Sequence, residues 1–291
     1  MASLKEVKTR IASVNSTRKI TSAMKMVASS KLHHAQQAIE SMRPYEDKLS
    51  HIMSTFVGSM EGEIDTPYAK KREVKRVAIV FYTSNSSLCG GFNANVAKDF
   101  CHLVNDYRER GIEVVKVYPL GKKAADVAQK MGFVPEVDYS SLLDHPSYDK
   151  ATQIASELMD LFAKGEVDHV DMIYHHFKSA GTQILTEETF LPIELQVDDQ
   201  NASVDNITLD FIVEPSKQDV VSELIPKSLH LKLFTALLDS LASEHAARVM
   251  AMQTATDNAD ELLRELTLTY NKTRQQAITS ELLDIAGGSM Q

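Results

Sequence analysis

Glycine and proline are scarce in this 291-residue chain, at 11 and 8, which excludes a collagen-like repeat and a wholly disordered, low-complexity chain. Cysteine is scarcer still. Cys89 and Cys101 can form at most one bridge and have no Cys-x-x-Cys spacing, so both read as structural thiols of a reducing compartment. The longest unbroken apolar run, 77–82, falls far short of the roughly 18 residues a membrane-spanning helix requires. The first eight residues interleave acid and base with no apolar stretch behind them, so no secretory signal is expected. What is present is an ordinary globular composition, 43% hydrophobic with a formal charge of −9, and about two domains' worth of chain.

Three zones follow one another. Residues 1–60 contain one proline, Pro44, and one glycine, Gly58, and Leu4, Val7, Ile11 and Val14 recur at coiled-coil spacing. The spacing predicts a long helix whose seam continues in a shifted phase through Ile20, Met24 and Val27, then Ala35, Ile39 and Met42. At 1.5 Å per residue such a helix would be on the order of 80 Å long and must project from something. Across 75–215, β-rich runs at 76–83, 113–120 and 169–177 alternate with helical stretches near 92–110, 122–132 and 148–164, the pattern of an α/β sheet. Further strands at 182–186, 189–197 and 207–213 suggest an antiparallel portion and hence a mixed sheet. From 216 to 291 helix returns. Pro226 is expected to end a short first helix, and a run free of Pro and Gly then extends from Lys227 to Ala286 and stops at Gly287-Gly288. The expected fold is therefore a central mixed-sheet α/β domain inserted between two long terminal helices that form an antiparallel coiled coil, with 1–60 paired to the C-terminal helix.

Charge is unevenly placed. Residues 1–43 hold eight basic side chains against Glu6 and Glu40, inside an acidic chain. A solvated helix face, an acidic protein partner and a nucleic-acid backbone all fit that excess. Single-strand binding does not, because it needs aromatic platforms and residues 1–43 contain none.

Chemistry-bearing motifs are few. Ser84-Asn-Ser-Ser-Leu-Cys-Gly-Gly-Phe-Asn93 follows a β-run and opens a helix, where a phosphate-cradling loop would sit. It lacks the Gly-x-Gly-x-x-Gly spacing, and around Gly121-Lys122 the first glycine of a P-loop is replaced by Lys116 and its hydroxyl by Lys123. A tight strand-to-helix turn explains the glycines equally well. The adjacent pairs His33-His34 and His175-His176 point their members apart on a helix or a strand, so neither converges on a metal. His245 sits on an apolar helical stripe, as a packing histidine would. The segment 266–279 is polar on much of its surface and carries Lys272 and Arg274 with no acid between Glu265 and Glu281, which fits either an exposed face or a contact for an acidic partner.

Four blocks in order resemble the signatures of one family, the gamma subunit of the bacterial-type F-type rotary ATP synthase. They are Thr17-Arg-Lys-Ile-Thr-Ser-Ala-Met-Lys-Met-Val-Ala-Ser-Ser-Lys31, Leu88-Cys-Gly-Gly-Phe-Asn93, Ala242-Ser-Glu-His-Ala-Ala-Arg248 with Ala255-Thr-Asp-Asn258, and Leu266-Thr-Leu-Thr-Tyr-Asn-Lys272 with Arg274, Gln275, Ile278 and Thr279. The resemblance implies a coiled-coil shaft that rotates inside a ring of alternating alpha and beta subunits, three of each, and couples ion flow through the membrane c-ring to ATP synthesis or hydrolysis on the beta subunits. It implies one copy per complex, an epsilon-subunit partner, no nucleic acid, no cofactor and no metal. It also implies no catalytic residue in this chain, and a peripheral location on the cytoplasmic face of the inner membrane.

Carried over position by position, Met24 and Lys25 match the shaft near the acidic lever of the beta subunits, with Lys25 standing where many relatives have Glu. Arg274, Gln275 and Thr279 match polar residues that catch the catalytic ring, and 282–290 would be the tip in its apolar bearing. Phe211 and Glu214 match the segment facing the membrane ring. Ser84-Asn-Ser-Ser-Leu88 departs from the commoner Ser-Asp-Arg-Gly-Leu of the family. The competing expectations are a coiled-coil scaffold with an α/β head, and a nucleotide-using enzyme at the 84–93 turn.

Overall fold

The computed structural model describes residues 3–58, 66–193 and 217–288. By internal contacts the chain divides into two units, one made of Met1–Ser30 with Arg248–Gln291 and the other of Lys31–Ala247.

The second unit is built on strand β1 (Arg76–Tyr82), in which every residue after Arg76 is buried. A strand covered on both faces reads as a continuous apolar run, and 77–82 is one. Alternate side chains go to opposite faces. Val77, Ile79 and Phe81 meet α2 (Phe92–Glu109) and α3 (Lys122–Lys130), while Ala78, Val80 and Tyr82 meet α5 (Tyr148–Ala163) and the early part of α6 (Lys217–Gly288). β2 (Glu113–Leu120) and β3 (His169–Ser179) flank β1 in parallel, and β4 (Thr182–Leu191) adds to β3 antiparallel, giving the order β2-β1-β3-β4. Crossover helices serve the parallel pairs, whereas the two residues between β3 and β4 permit only a hairpin, which is why the sheet is mixed.

Both long helices are present. α1 runs Leu4–Gly58 through Pro44, and α6 runs Lys217–Gly288 through Pro226. The expected break at Pro226 does not occur. Ile225 and Leu229, on either side of it, are fully buried against the sheet, and that packing outweighs the lost backbone hydrogen bond. The strand expected at 182–186 and the start of the one expected at 189–197 are one strand, β4, because Glu187 and Glu188 continue the alternation: Glu188 accepts from Tyr174 Oη at 3.0 Å on one face and Glu187 lies on the other; 194–197 lie outside the described residues. The strand expected at 207–213 lies outside the described residues. A short helix α4 (Ser140–Asp144) and a 3₁₀ turn (Pro67–Ala69) were not anticipated.

The seam of α1 also differs from expectation. Ile20 and Val27 are 59% exposed, while Thr21 and Ala28 are buried. The positions turned inward keep an unbroken seven-residue period, Val7, Val14, Thr21, Ala28, Ala35, Met42 and Leu49, accompanied by Leu4, Ile11, Arg18, Lys25, Leu32 and Ile39. No phase shift exists. The polar residues at 18, 21 and 25 interrupt the hydrophobic signal, and a pattern read from apolar residues alone jumps to their outward neighbours.

Candidate functional site

In the first unit α1 and α6 pair antiparallel. Side-chain hydrogen bonds cross between them: Arg18 Nη1 donates to Asp260 Oδ1 at 2.9 Å, the Thr21 and Thr256 hydroxyls meet at 2.8 Å, and Lys25 Nζ donates to Gln253 Oε1 at 2.5 Å. Gln253 Nε2 in turn donates to Asp257 Oδ1 at 2.8 Å. Around them Val7, Ala28, Met252, Ala259 and Leu266 supply the buried apolar contacts.

That register fixes where the residues expected to contact partners lie. Met24 and Lys25 are half-buried, and the ammonium of Lys25 is engaged by Gln253. The register that sets Arg18 against Asp260 would set Leu4, the first residue of α1, opposite Arg274. Arg274, Gln275 and Thr279 are all exposed, and Thr279 Oγ1 donates only to its own helix at Gln275 O, 2.8 Å away. Ile278, Leu282, Leu283 and Ile285 follow, exposed at 47%, 61%, 66% and 69%. Met24 and Arg274 are therefore separated by about twenty residues of helix pair, roughly 30 Å, and form two zones, not one site. Phe211 and Glu214 lie outside the described residues.

The 84–93 turn is a structural device. Leu88 and Gly90 take positive φ, 70° and 61°. Asn93 closes the loop, its Oδ1 accepting from Ser84 N at 2.9 Å and its Nδ2 donating to Ser84 Oγ at 2.8 Å. Cys89 is buried beneath it. At the start of α3, beside the P-loop-like Gly121-Lys122 pair, the Lys122 N–H donates to Asn85 Oδ1 at 3.1 Å and the Lys123 N–H to Ser84 O at 3.2 Å. Backbone donors already committed to protein acceptors do not offer an anion site. Gly121, between β2 and α3, has φ +114°, and a Cβ there would sit 2.7 Å from Thr83 O.

The adjacent histidines of β3, His175 and His176, divide between its faces. His175 is buried, stacked on Phe92 with ring centroids 4.4 Å apart, and its Nδ1 has no hydrogen-bond partner. Burial alone pushes its pKa down to about 4. His176 faces the opposite way, to Asp239 of α6. There a cleft of about 510 Å³ is lined by Arg43, Glu46, Tyr174, Glu188, Lys232 and Asp239 among others. Its charges are mutually paired, Lys232 with Glu188 at 2.9 Å and His176 with Asp239 at 2.5 Å. A third buried cluster lies under α2: Tyr107 Oη donates to Asp171 Oδ2 at 2.5 Å, and His169 Nε2 lies 2.8 Å from Asp171 Oδ1. Burial, then the Asp171 carboxylate, drives the Tyr107 phenol far above its usual range. Among the described residues no group of three or more His, Cys, Asp or Glu is placed to hold a metal ion, and no helix is long and apolar enough to cross a membrane.

Sequence reasoning did not find these cross-helix and helix-to-sheet pairs. Their partners are far apart in the chain, and the only trace of the ladder is a run of polar residues at heptad positions 18, 21 and 25.

Comparison with known proteins agrees with the geometry. A family model described as ATP synthase matches residues 3–290. The chain is 56% identical over 290 residues to the ATP synthase gamma chain of Phocaeicola vulgatus and 57% identical over 290 residues to that of Bacteroides fragilis, covering 100% of both chains in each case. It is 45% identical to the gamma chain of Flavobacterium johnsoniae, over 99% of this chain and 98% of that one. Among solved structures it is similar to a chain of the central stalk/c-ring of Tetrahymena thermophila mitochondrial ATP synthase, with TM-score 0.55 and 23% identity over 81% of this chain and 99% of the other. A chain of the Euglena gracilis mitochondrial ATP synthase gives TM-score 0.61 and 20% identity over 99% and 93%. The two structural likenesses define the fold, and the sequence relatives define the lineage. The chain belongs to the ATP synthase gamma chain family.

Proposed function

We propose that this chain is the central rotor shaft of a bacterial ATP synthase, turning inside a ring of three alpha and three beta subunits and coupling ion flow through the membrane c-ring to ATP synthesis or hydrolysis. The observation that carries this reading is the end of α6. From Arg274 onward the helix is bare of α1 and presents Ile278, Leu282, Leu283 and Ile285 to the surface, and a stripe of exposed large apolar groups marks a surface that a partner covers. A ring bearing around that tip supplies the cover. Arg274, Gln275 and Thr279 then stand at its mouth to engage the ring, and Met24 and Lys25 face it farther down the pair.

The chain itself makes and breaks no bonds in this reading. An asymmetric shaft touches three equivalent catalytic subunits differently, so each orientation favours a different set of nucleotide affinities, and rotation permutes them. The drive is about 2.3 kcal/mol per ion charge per 100 mV of membrane potential. Phe211 and Glu214 are assigned to the membrane-ring side, the epsilon subunit joins the rotor, and the complex holds one copy of this chain, peripheral on the cytoplasmic face of the inner membrane.

The test is membrane ATP synthesis and hydrolysis with the wild-type chain and with Arg274→Ala/Gln275→Ala, after pull-down shows that both assemble with alpha and beta subunits. Assembly with reduced coupled turnover is the expected result. A purified chain that neither joins such a ring nor alters its turnover overturns the reading and favours a scaffold.

A further inference from the structure

We infer that Arg18, Thr21 and Lys25 of α1, with Asp260, Thr256 and Gln253 of α6, form a register lock, positioning residues that fix the axial and angular setting of the two helices. The part of this inference that concerns torque rests on the shaft reading above; the part that concerns register does not.

Residues 18, 21 and 25 are three consecutive inward positions of the α1 heptad, and all three are polar. Each finds one partner on α6, at 2.9, 2.8 and 2.5 Å. Large apolar residues are available beside them, yet Ile20, Met26 and Val27 are turned outward at 59%, 64% and 59% exposure. The buried apolar contacts of this seam, Val7 and Ala28 on α1 and Met252, Ala259 and Leu266 on α6, all fall at multiples of seven residues along their helices. Apolar residues that repeat every heptad meet one another again after sliding by one heptad, so they choose the register only weakly. Polar side chains at core positions do choose, at some expense in stability, because a slip leaves them facing groups that cannot answer. Sliding by seven residues in one direction would set Thr21 against Leu263 and Arg18 against Thr267, and in the other would set Thr21 against Val249 and Lys25 against Ala246. The first slip still offers Lys25 an acceptor, Asp260, and the second still offers Arg18 one, Gln253, but each breaks the threonine rung by setting Leu263 or Val249 against the Thr21 hydroxyl. A helix pair that transmits rotation has to resist this sliding, since movement along the seam would absorb rotation that should reach the far end.

The experiment uses the full chain assembled with alpha and beta subunits and reconstituted in membranes. Nitroxides are carried on p-acetylphenylalanine at Ser13 and Arg264, both exposed, which leaves the native cysteines untouched. Three chains are compared: wild type, the apolar variant Arg18→Met/Thr21→Val/Gln253→Leu/Thr256→Val/Asp260→Leu, and the rescue variant Thr21→Ser/Thr256→Ser. Lys25 is left in place because it is assigned to the ring contact. Wild type and the serine variant are expected to show one narrow distance. The apolar variant is expected to add a second, longer-distance population, lengthened by a few ångström because labels level with each other have slid about 10 Å, one heptad of rise, along the axis, with fewer ions pumped per ATP hydrolysed and a thermal midpoint at or above that of wild type. Loss of coupling without loss of stability is what a merely structural role would not produce. One narrow distance with unchanged coupling in the apolar variant overturns the lock, as does a second population in the serine variant. A wild-type chain that fails to assemble or pump would instead overturn the shaft reading, while the distances still decide the register.

Discussion

His176 on β3 and Asp239 on α6 meet at 2.5 Å, Nδ1 to Oδ2, at the wall of the cleft between the sheet and the helices. The carboxylate is buried and the imidazole half-exposed. Burial lifts the Asp239 carboxyl above its ordinary range, while His176 and Arg43 pull the other way. The pair thus fastens the terminal helix to the sheet through a charge that is stranded if its partner leaves.

Removal of that partner is the first prediction. His176→Ala is expected to destabilise the chain by about 1–3 kcal/mol, the penalty of a buried polar group left unmet. Asp239→Asn, which keeps a hydrogen-bonding group against the ring, is expected to be milder. Urea unfolding of the full chain checks both, and equal losses would mean that burial of the carboxylate is not the issue.

His175 gives a pH dependence. Its folded pKa, about 4, lies below the unfolded value near 6.5, so the unfolded chain binds the extra proton first as pH falls. Stability contributed by the neutral ring is fully present above about pH 6.5 and is lost progressively down to about pH 4, by roughly 3 kcal/mol in all. His175→Phe is expected to flatten the urea midpoint over this window relative to wild type. An unchanged slope would show that His175 does not carry the effect.

Two glycines of the α/β unit should respond differently to alanine. At Gly121 a methyl group meets Thr83 O and Leu143 Cδ1 at 2.7 Å with φ at +114°, and about 3 kcal/mol or more is expected to be lost. At Gly90, with φ +61° and open space around it, Gly90→Ala is expected to lose about 1 kcal/mol. A larger loss at Gly90 than at Gly121, measured by thermal or urea unfolding, would contradict the packing described for the two turns.

Tyr107→Phe removes the hydroxyl that donates to the buried Asp171, leaving that carboxylate His169 as its remaining side-chain contact on this face. A loss of about 1–2 kcal/mol is expected. Tyr107→Phe/Asp171→Asn should recover part of it, because the amide replaces the stranded charge. No recovery in the double variant would assign the loss to packing.

Much of this fold is written locally. The run 77–82 is apolar without alternation, so it had to be a strand covered on both faces. Residues 92–109 and 148–163 carry helical periodicity, and the scarcity of Pro and Gly in 1–60 and 227–286 requires long helices. Tertiary structure alone decided that Pro226 would stay inside a helix, because the burial of Ile225 and Leu229 comes from the sheet and not from their neighbours in sequence. It also decided the seam of α1. Hydrophobicity points to Ile20 and Val27, but the partner helix offers Asp260, Thr256 and Gln253 at that level, and these turn Arg18, Thr21 and Lys25 inward. An apolar side chain announces its burial by its own chemistry. A polar one is buried only where another polar group waits for it, and that partner lies more than two hundred residues away.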